Sequence, residues 1–180
     1  MNLTFITSNQ NKAALLSEYL GHPVTHQALD LSEIQSLDLE EIACCKAQEA
    51  FRLVGQPVLV EDMSLTFNAL GELPGPFIKW FLKSLGNPGL CKILDSYEDR
   101  SAVATVIFCL NDGEEQHFFT GTVTGHIAQE PRGDQGFGWD SIFIADGETK
   151  TWGEMDKEEQ FKASMRPEAF EKLRTFLAKN

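Results

Sequence analysis

Five charged side chains stand where a fold of this pattern would bring charge to a ligand: Lys12, Glu33, Lys46, Glu61 and Asp62. Lys12 closes the polar turn Thr7, Ser8, Asn9, Gln10, Asn11, which follows an apolar run and opens a helical pattern. Backbone N–H groups at such a strand-to-helix turn, with the positive end of the helix dipole, form a phosphate seat to which Thr7, Ser8 and Asn9 add hydrogen bonds. The other reading is an N-cap with an exposed lysine, and the turn has none of the glycines of a P-loop. Lys46 falls inside the apolar stripe Ile42, Ala43, Ala47, Ala50, Phe51, Val54, so its ammonium either snorkels to the edge or meets an anion. Glu61 and Asp62 follow the apolar run Val58, Leu59, Val60, and Glu33 follows the preceding strand, so three carboxylates are expected to converge at one end of a sheet. Taken singly, each is also consistent with a solvated carboxylate. Carboxylate oxygens with phosphates nearby suit magnesium, and lysines beside carboxylates are what phosphoryl transfer needs: cations on the phosphates, a base or metal on the water.

A second kind of chemistry is carried by Gly136, Phe137, Gly138, Trp139 and Asp140. An aromatic ring flanked by glycines can lie against a base while the aspartate accepts hydrogen bonds from its edge; equally, a Phe-Gly-Trp turn can be core.

The elements that must position these residues alternate. A strand is expected over Leu3 to Thr7, then a helix with Leu15, Leu16, Tyr19 and Leu20 on one face, stopped by Gly21. A strand over Val24 to Leu29 precedes a helix from Leu39 to Val54, closed by Gly55, and then a short buried strand, Val58 to Val60. This is the order of an α/β domain, in which ligands gather at the carboxyl ends of strands. The Gly- and Pro-rich stretch from Phe67 to Trp80 leads into a helix near Ile78 to Leu85. Ala102 to Leu110 and Gln116 to Thr124 form a hairpin across Asn111, Asp112 and Gly113, and a last helix runs from Arg166 to Ala178 with Ser164 as N-cap.

A chain of 180 residues without repeats or linkers is expected to fold as one domain, 1–180. Its formal net charge of −12 disfavours a long nucleic acid or an anionic membrane surface, so an anionic ligand must be small and met locally. Cys44, Cys45, Cys91 and Cys109 have no C-x-x-C spacing and read as free thiols. Without a basic, apolar leader or an 18-residue apolar run, a cytoplasmic protein is expected.

Together these strings resemble one family, the inosine triphosphate (dITP/XTP) pyrophosphatases. The matches are TSNQNK for the family's T/S-x-N-x-x-K, Lys46 in KAQEA, the segment VLVEDMSLTFNALGELPGPFIKWF, FGWD, and Ser164 with Arg166 for S-H-R, in the family's order over nearly the whole chain. The resemblance implies hydrolysis of non-standard purine triphosphates to monophosphate and pyrophosphate, which cleanses the nucleotide pool. It implies that residues Thr7 to Lys12 hold the triphosphate, Lys46 and Lys79 neutralise it, Glu33 and Asp62 bind magnesium, and Asp62 orients water. Phe137, Gly138, Trp139 and Asp140 would line the base pocket, closed by Ser164 and Arg166. The implied fold is an elongated α/β protein, a long mixed sheet with flanking helices and two lobes around a central nucleotide cleft, usually a homodimer. Two departures stand out: Gln160 replaces the family's lysine and Met165 its histidine, with Lys162 a candidate substitute charge. They leave open altered base preference, or a nucleotide sensor without turnover.

Overall fold

The computed structural model describes residues 3–179. The first third alternates strand and helix: β1 (Thr4–Ile6), α1 (Gln10–Leu20), β2 (Thr25–Gln27), α2 (Leu39–Val54) and β3 (Val58–Phe67). β4 (Pro74–Gly75) and α3 (Ile78–Ile93) follow, then β5 (Ser101–Asn111), β6 (Gln116–Ile127), β7 (Phe143–Ala145), α4 (Lys157–Ala163) and α5 (Arg166–Leu177). The sheet has seven strands in the order β2-β1-β3-β5-β6-β7, with β4 paired beside β3. It is mixed, because β1 runs parallel to β2 and β3, whereas β3/β4 and β6/β7 are antiparallel.

Helix boundaries follow their caps. Asp38 accepts from the N–H groups of Glu40 and Glu41, and Gly55 ends α2 in the left-handed conformation, so the span expected from the sequence is the span observed. α1 likewise starts on Asn9 and ends on Gly21. The expected helix from Ile78 to Leu85 is also present, and the chain resumes helical geometry after a break at Gly86 (φ 64°, ψ 174°) to complete α3.

One expectation fails with consequences for chemistry. The strand after Gln56 does not stop at Val60 but continues to Phe67, so Glu61 and Asp62 lie inside β3. Charge inside a strand is tolerated where its cross-strand neighbour has ended, and β1 pairs with β3 only at Val58 and Leu59. The two carboxylates therefore sit just past the carboxyl end of parallel β1. The second strand is also shorter than expected and wholly exposed.

The chain forms two compact units, each drawn from separated stretches. The first comprises Met1–Asp62, Val106–Gly121 and Glu168–Asn180. Its sheet is covered on both faces. Ile6, Val58, Val60, Ile107 and Cys109 pack with Ala43, Ala47 and Ala50 of α2, while the alternate residues Phe5 and Phe108 turn to the other side, where Phe108 meets Phe170 of α5 at 5.2 Å between ring centroids. The second unit comprises Met63–Thr105 and Thr122–Pro167. Its core includes the rings of Trp139, Phe143 and Trp152, the last two 4.6 Å apart. The four cysteines are free, and no helix among the described residues is long and apolar enough to cross a membrane.

Candidate active site

The period of a strand decides which lysine each carboxylate meets. Glu61 has the parity of Leu59, which lies in register with Phe5 on the α1 side, whereas Asp62 has the parity of Val58 and Val60 on the α2 side. Accordingly Glu61, its side chain only 4% exposed, pairs with Lys12 of α1 at 3.2 Å, and Asp62 pairs with Lys46 of α2 at 3.0 Å. The alternation divides the expected group of Glu33, Glu61 and Asp62 between two lysines, because adjacent strand residues point to opposite faces, while Glu33 and Glu61 both stay near enough to act on the Asp62 charge. Among the described residues no group of three acidic, His or Cys side chains is placed to hold a metal ion together.

Glu33 and Asp62 do share a neighbour. Lys46 Nζ donates to Glu33 Oε1 at 3.1 Å and to Asp62 Oδ1 at 3.0 Å, which resolves the alternatives for Lys46: it meets anions, and these are the chain's own carboxylates. Asp62 Oδ2 is buried and has no hydrogen-bond partner. Burial pushes the Asp62 carboxyl up, Lys46 pulls it down, and Glu33 and Glu61 add to the rise. For Lys46 burial acts to lower its pKa, but Asp62 and Glu33 outweigh it and the ammonium is held above its ordinary value. Burial is thus the main cause of the rise at Asp62, whereas at Lys46 the two carboxylates on the ammonium overcome burial.

The turn before α1 behaves first as a cap. Asn9 Oδ1 accepts from the N–H of Asn11 at 3.0 Å and of Lys12 at 3.3 Å, and Thr7 Oγ1 accepts from Asn9 N–H at 3.1 Å, while Ser8 is exposed. Two of the amides expected to await a phosphate are thus already satisfied by a side chain that a ligand would have to displace.

In the second unit the Gly-Phe-Gly-Trp-Asp string splits by role. Phe137 is 59% exposed, whereas Trp139 is 7% exposed and packs against Trp152 at 5.2 Å. Of the two rings expected to line the base pocket, only Phe137 is presented to solvent; Trp139 supports the turn from beneath. Asp140 Oδ2 accepts from the Phe137 N–H at 2.7 Å and from the Gln160 amide at 2.9 Å. Burial pushes its carboxyl up, opposed by the Phe137 N–H, Gln160 and Arg166. Gly138 is followed by the buried Trp139, and Ser164 Oγ accepts from Arg166 N–H at 3.3 Å while Arg166 reaches Met63 Sδ at 3.4 Å. Lys79 is exposed on the first turn of α3, its ammonium 5.8 Å from the Trp80 ring centroid.

The two departures at the base end are now explicable. Gln160 is fixed on Asp140, and Met165, 1% exposed, is a core residue. Lys162, the candidate substitute charge, pairs with Glu158 at 2.6 Å on the exposed side of α4, while Gln160 is the residue placed on Asp140. Residues two apart on a helix face different ways.

The family model of the Ham1 family matches residues 3–176. The chain belongs to the Ham1 family. It is similar to proteins named inosine triphosphate pyrophosphatase from Aspergillus fumigatus, 49% identical over 98% of this chain and 95% of that one, and Neurospora crassa, 47% identical over 98% and 93%. Among solved structures it resembles a Ham1 protein from Coxiella burnetii, with TM-score 0.85, 27% identity and coverage of 99% of this chain and 98% of that one. It also resembles a nucleoside-triphosphatase, or dITP/XTP pyrophosphatase, from Mycobacterium abscessus, with TM-score 0.78, 27% identity and coverage of 96% and 98%. The names of these Ham1 relatives lend no support to a turnover-free sensor or an altered base.

One residue of this Ham1 chain escaped the sequence reading. Asn87, next to the break in α3, donates its amide to Gly138 O at 2.9 Å and to Ser141 Oγ at 2.9 Å. The Gly86-Asn87-Pro88 triplet was a signal of interruption in a helical run, but nothing local says which distant turn such an amide will grip.

Proposed function

We propose that this chain hydrolyses non-standard purine nucleoside triphosphates, among them those of inosine, deoxyinosine and xanthosine, to the monophosphate and pyrophosphate with magnesium. Membership of the Ham1 family and the names of its relatives support the reaction and the substrate class. The observation that carries it in the molecule is Asp62, with one oxygen on Lys46 and the other buried and unpartnered.

That arrangement fits a magnesium ion. An ammonium already bridges Glu33 and Asp62 where a cation would sit, and a buried carboxylate oxygen without a partner is a position a metal would satisfy. Glu33 and Asp62 are the residues that would hold it. When bound, the ion neutralises phosphate charge and polarises the phosphoryl oxygen. Lys46, leaving the carboxylates, follows the incoming negative charge to the phosphates, and Lys12 does the same from Glu61. The N-terminal end of α1 gives the phosphates a favourable dipole. Asp62 orients a water whose oxygen bonds to the α-phosphorus; the bond to the αβ-bridging oxygen breaks, pyrophosphate leaves, and the water proton passes to a carboxylate. In the second unit Phe137 offers its face to the purine, with Asp140 beside it.

The test is product analysis on a panel of triphosphates with magnesium. Pyrophosphate and monophosphate from inosine triphosphate, in preference to adenosine triphosphate, is the expected result; orthophosphate with a nucleoside diphosphate would overturn it.

A further inference from the structure

We propose that Asn87 is a positioning residue for base recognition, holding the turn 136–141 in the conformation that presents Phe137 to the purine. The inference rests on the function proposed above. Gly136 (φ 75°) and Gly138 (φ 67°) both adopt the left-handed region, so the turn is built from residues with large conformational freedom in themselves. Within it Phe137 N–H donates to Asp140 Oδ2 and Asp140 N–H to Phe137 O at 3.3 Å, and Gln160 shares that carboxylate oxygen. The backbone N–H groups of Gly153 and Arg132 hold Asp140 O and Ser141 O at 2.8 Å, leaving the Gly138 carbonyl to Asn87. Asn87 adds anchors of another kind, from more than fifty residues away, one to the carbonyl of Gly138 and one to the hydroxyl of Ser141. The amide can only be oriented with its nitrogen toward Gly138, because a backbone carbonyl accepts and never donates.

The same side chain carries a cost. Asn87 Oδ1 is buried without a partner, and a buried acceptor left unpaired destabilises the fold. A small apolar residue at this position would spare that cost and lose the grip on Gly138. The helix break places Asn87 here: with Gly86 outside helical geometry, α3 is released from its run just before the residue that reaches the turn.

The experiment compares Asn87→Ala, Asn87→Asp and Ser141→Ala with the parent chain, reading KM and kcat for inosine triphosphate, the inhibition constant of inorganic pyrophosphate, and the melting temperature. Asn87→Ala should raise KM about tenfold, the scale of a lost hydrogen bond to a positioned group, with kcat within about twofold. Asn87→Asp, of equal size, sets an acceptor against the Gly138 carbonyl and should raise KM further; Ser141→Ala keeps the Gly138 bond and should raise it less. Inhibition by pyrophosphate, which has no base, should stay unchanged in all three. If Asn87→Ala fails to fold, the ordering of the other two decides. An unchanged KM, or equal weakening of pyrophosphate and nucleotide, overturns the role of Asn87. Absence of pyrophosphate release by the parent chain would instead overturn the function on which it rests.

Discussion

In the first unit five ionised groups, Lys12, Glu33, Lys46, Glu61 and Asp62, hold one another in place through ion pairs at 3.0 to 3.2 Å. In the second, the turn from Gly136 to Ser141 is held by neutral amides, one carboxylate and a bed of aromatic rings. In the first arrangement both lysines are already committed to carboxylates, so under the function proposed above they would have to change partners for a triphosphate to bind. In the second, the Phe137 N–H and the Gln160 amide are committed to Asp140 while the ring of Phe137 stays largely exposed. The contrast predicts that substitutions in the cluster alter metal binding, chemistry and pH dependence, and that substitutions at the turn alter KM for the base.

The largest effect should come from Asp62→Asn. The amide keeps the shape but supplies neither metal charge nor a base, so hydrolysis should fall by about 10²-fold or more while nucleotide binding persists. Pyrophosphate release measured at saturating nucleotide decides it, and retention of a tenth of the turnover would remove Asp62 from the mechanism.

Lys46→Met divides the cluster's two jobs. With the ammonium gone, Glu33 and Asp62 lose the cation they share, so magnesium alone, titrated calorimetrically without nucleotide, should bind roughly tenfold tighter. Pyrophosphate should bind more weakly in the same variant. A metal affinity that does not rise would mean that Lys46 does not compete with the ion, and the partner exchange proposed for it would fall.

At the turn, Phe137→Ala should raise KM for inosine triphosphate by about fivefold to tenfold, the low end of base–aromatic stacking because the ring is largely exposed. Magnesium binding should not move. A change in metal affinity here would erase the separation between the two regions.

The pH profile sharpens the charged side. Burial, with Glu33 and Glu61, holds the Asp62 carboxyl above its ordinary value despite Lys46. A raised carboxyl takes up its proton earlier on acidification, so activity that needs the carboxylate should be lost at a pH above the usual aspartate range. kcat/KM measured at low magnesium reads this limb for the free chain. Glu61→Gln removes one of the charges that raise Asp62 and should shift the limb to lower pH; a shift upward would contradict the assignment.

What could be read from the residues divides along the same line. α2 was legible to its last residue because an amphipathic stripe and a closing glycine are local signals. Lys46 was legible as a charge out of place, and its answer required only that an anion exist. Glu61 and Asp62 were misplaced because the apolar run before them ended and strand pairing beyond it could not be seen. The strand period, which was in the sequence all along, is what gives Glu61 and Asp62 different lysines. β7 and α4 went unread, being three and seven residues long and stabilised by contacts with distant segments. The division of labour between Phe137 and Trp139 was invisible for the same reason: burial of one ring depends on Phe143 and Trp152, which no local string places beneath it.

The smallest effect should belong to Lys162, and its smallness is informative. Were a positive charge on α4 needed to read the base, Lys162→Ala would depress kcat/KM for inosine triphosphate in the way that removal of a charged hydrogen bond does elsewhere. In the structure the Lys162 side chain is 71% exposed and its ammonium is engaged with Glu158 one turn back, a solvent-screened pair of the kind that contributes little. The position that faces Asp140 is Gln160, two residues earlier, and it is neutral. Lys162→Ala should therefore leave kcat/KM for inosine triphosphate within about twofold of the parent, as expected for a surface pair, with the ratio to adenosine triphosphate unchanged. A fall beyond that, confined to kcat/KM and absent from pyrophosphate inhibition, would show that α4 turns its charged side to the base when nucleotide is bound. The base end would then share the cluster's reliance on charge.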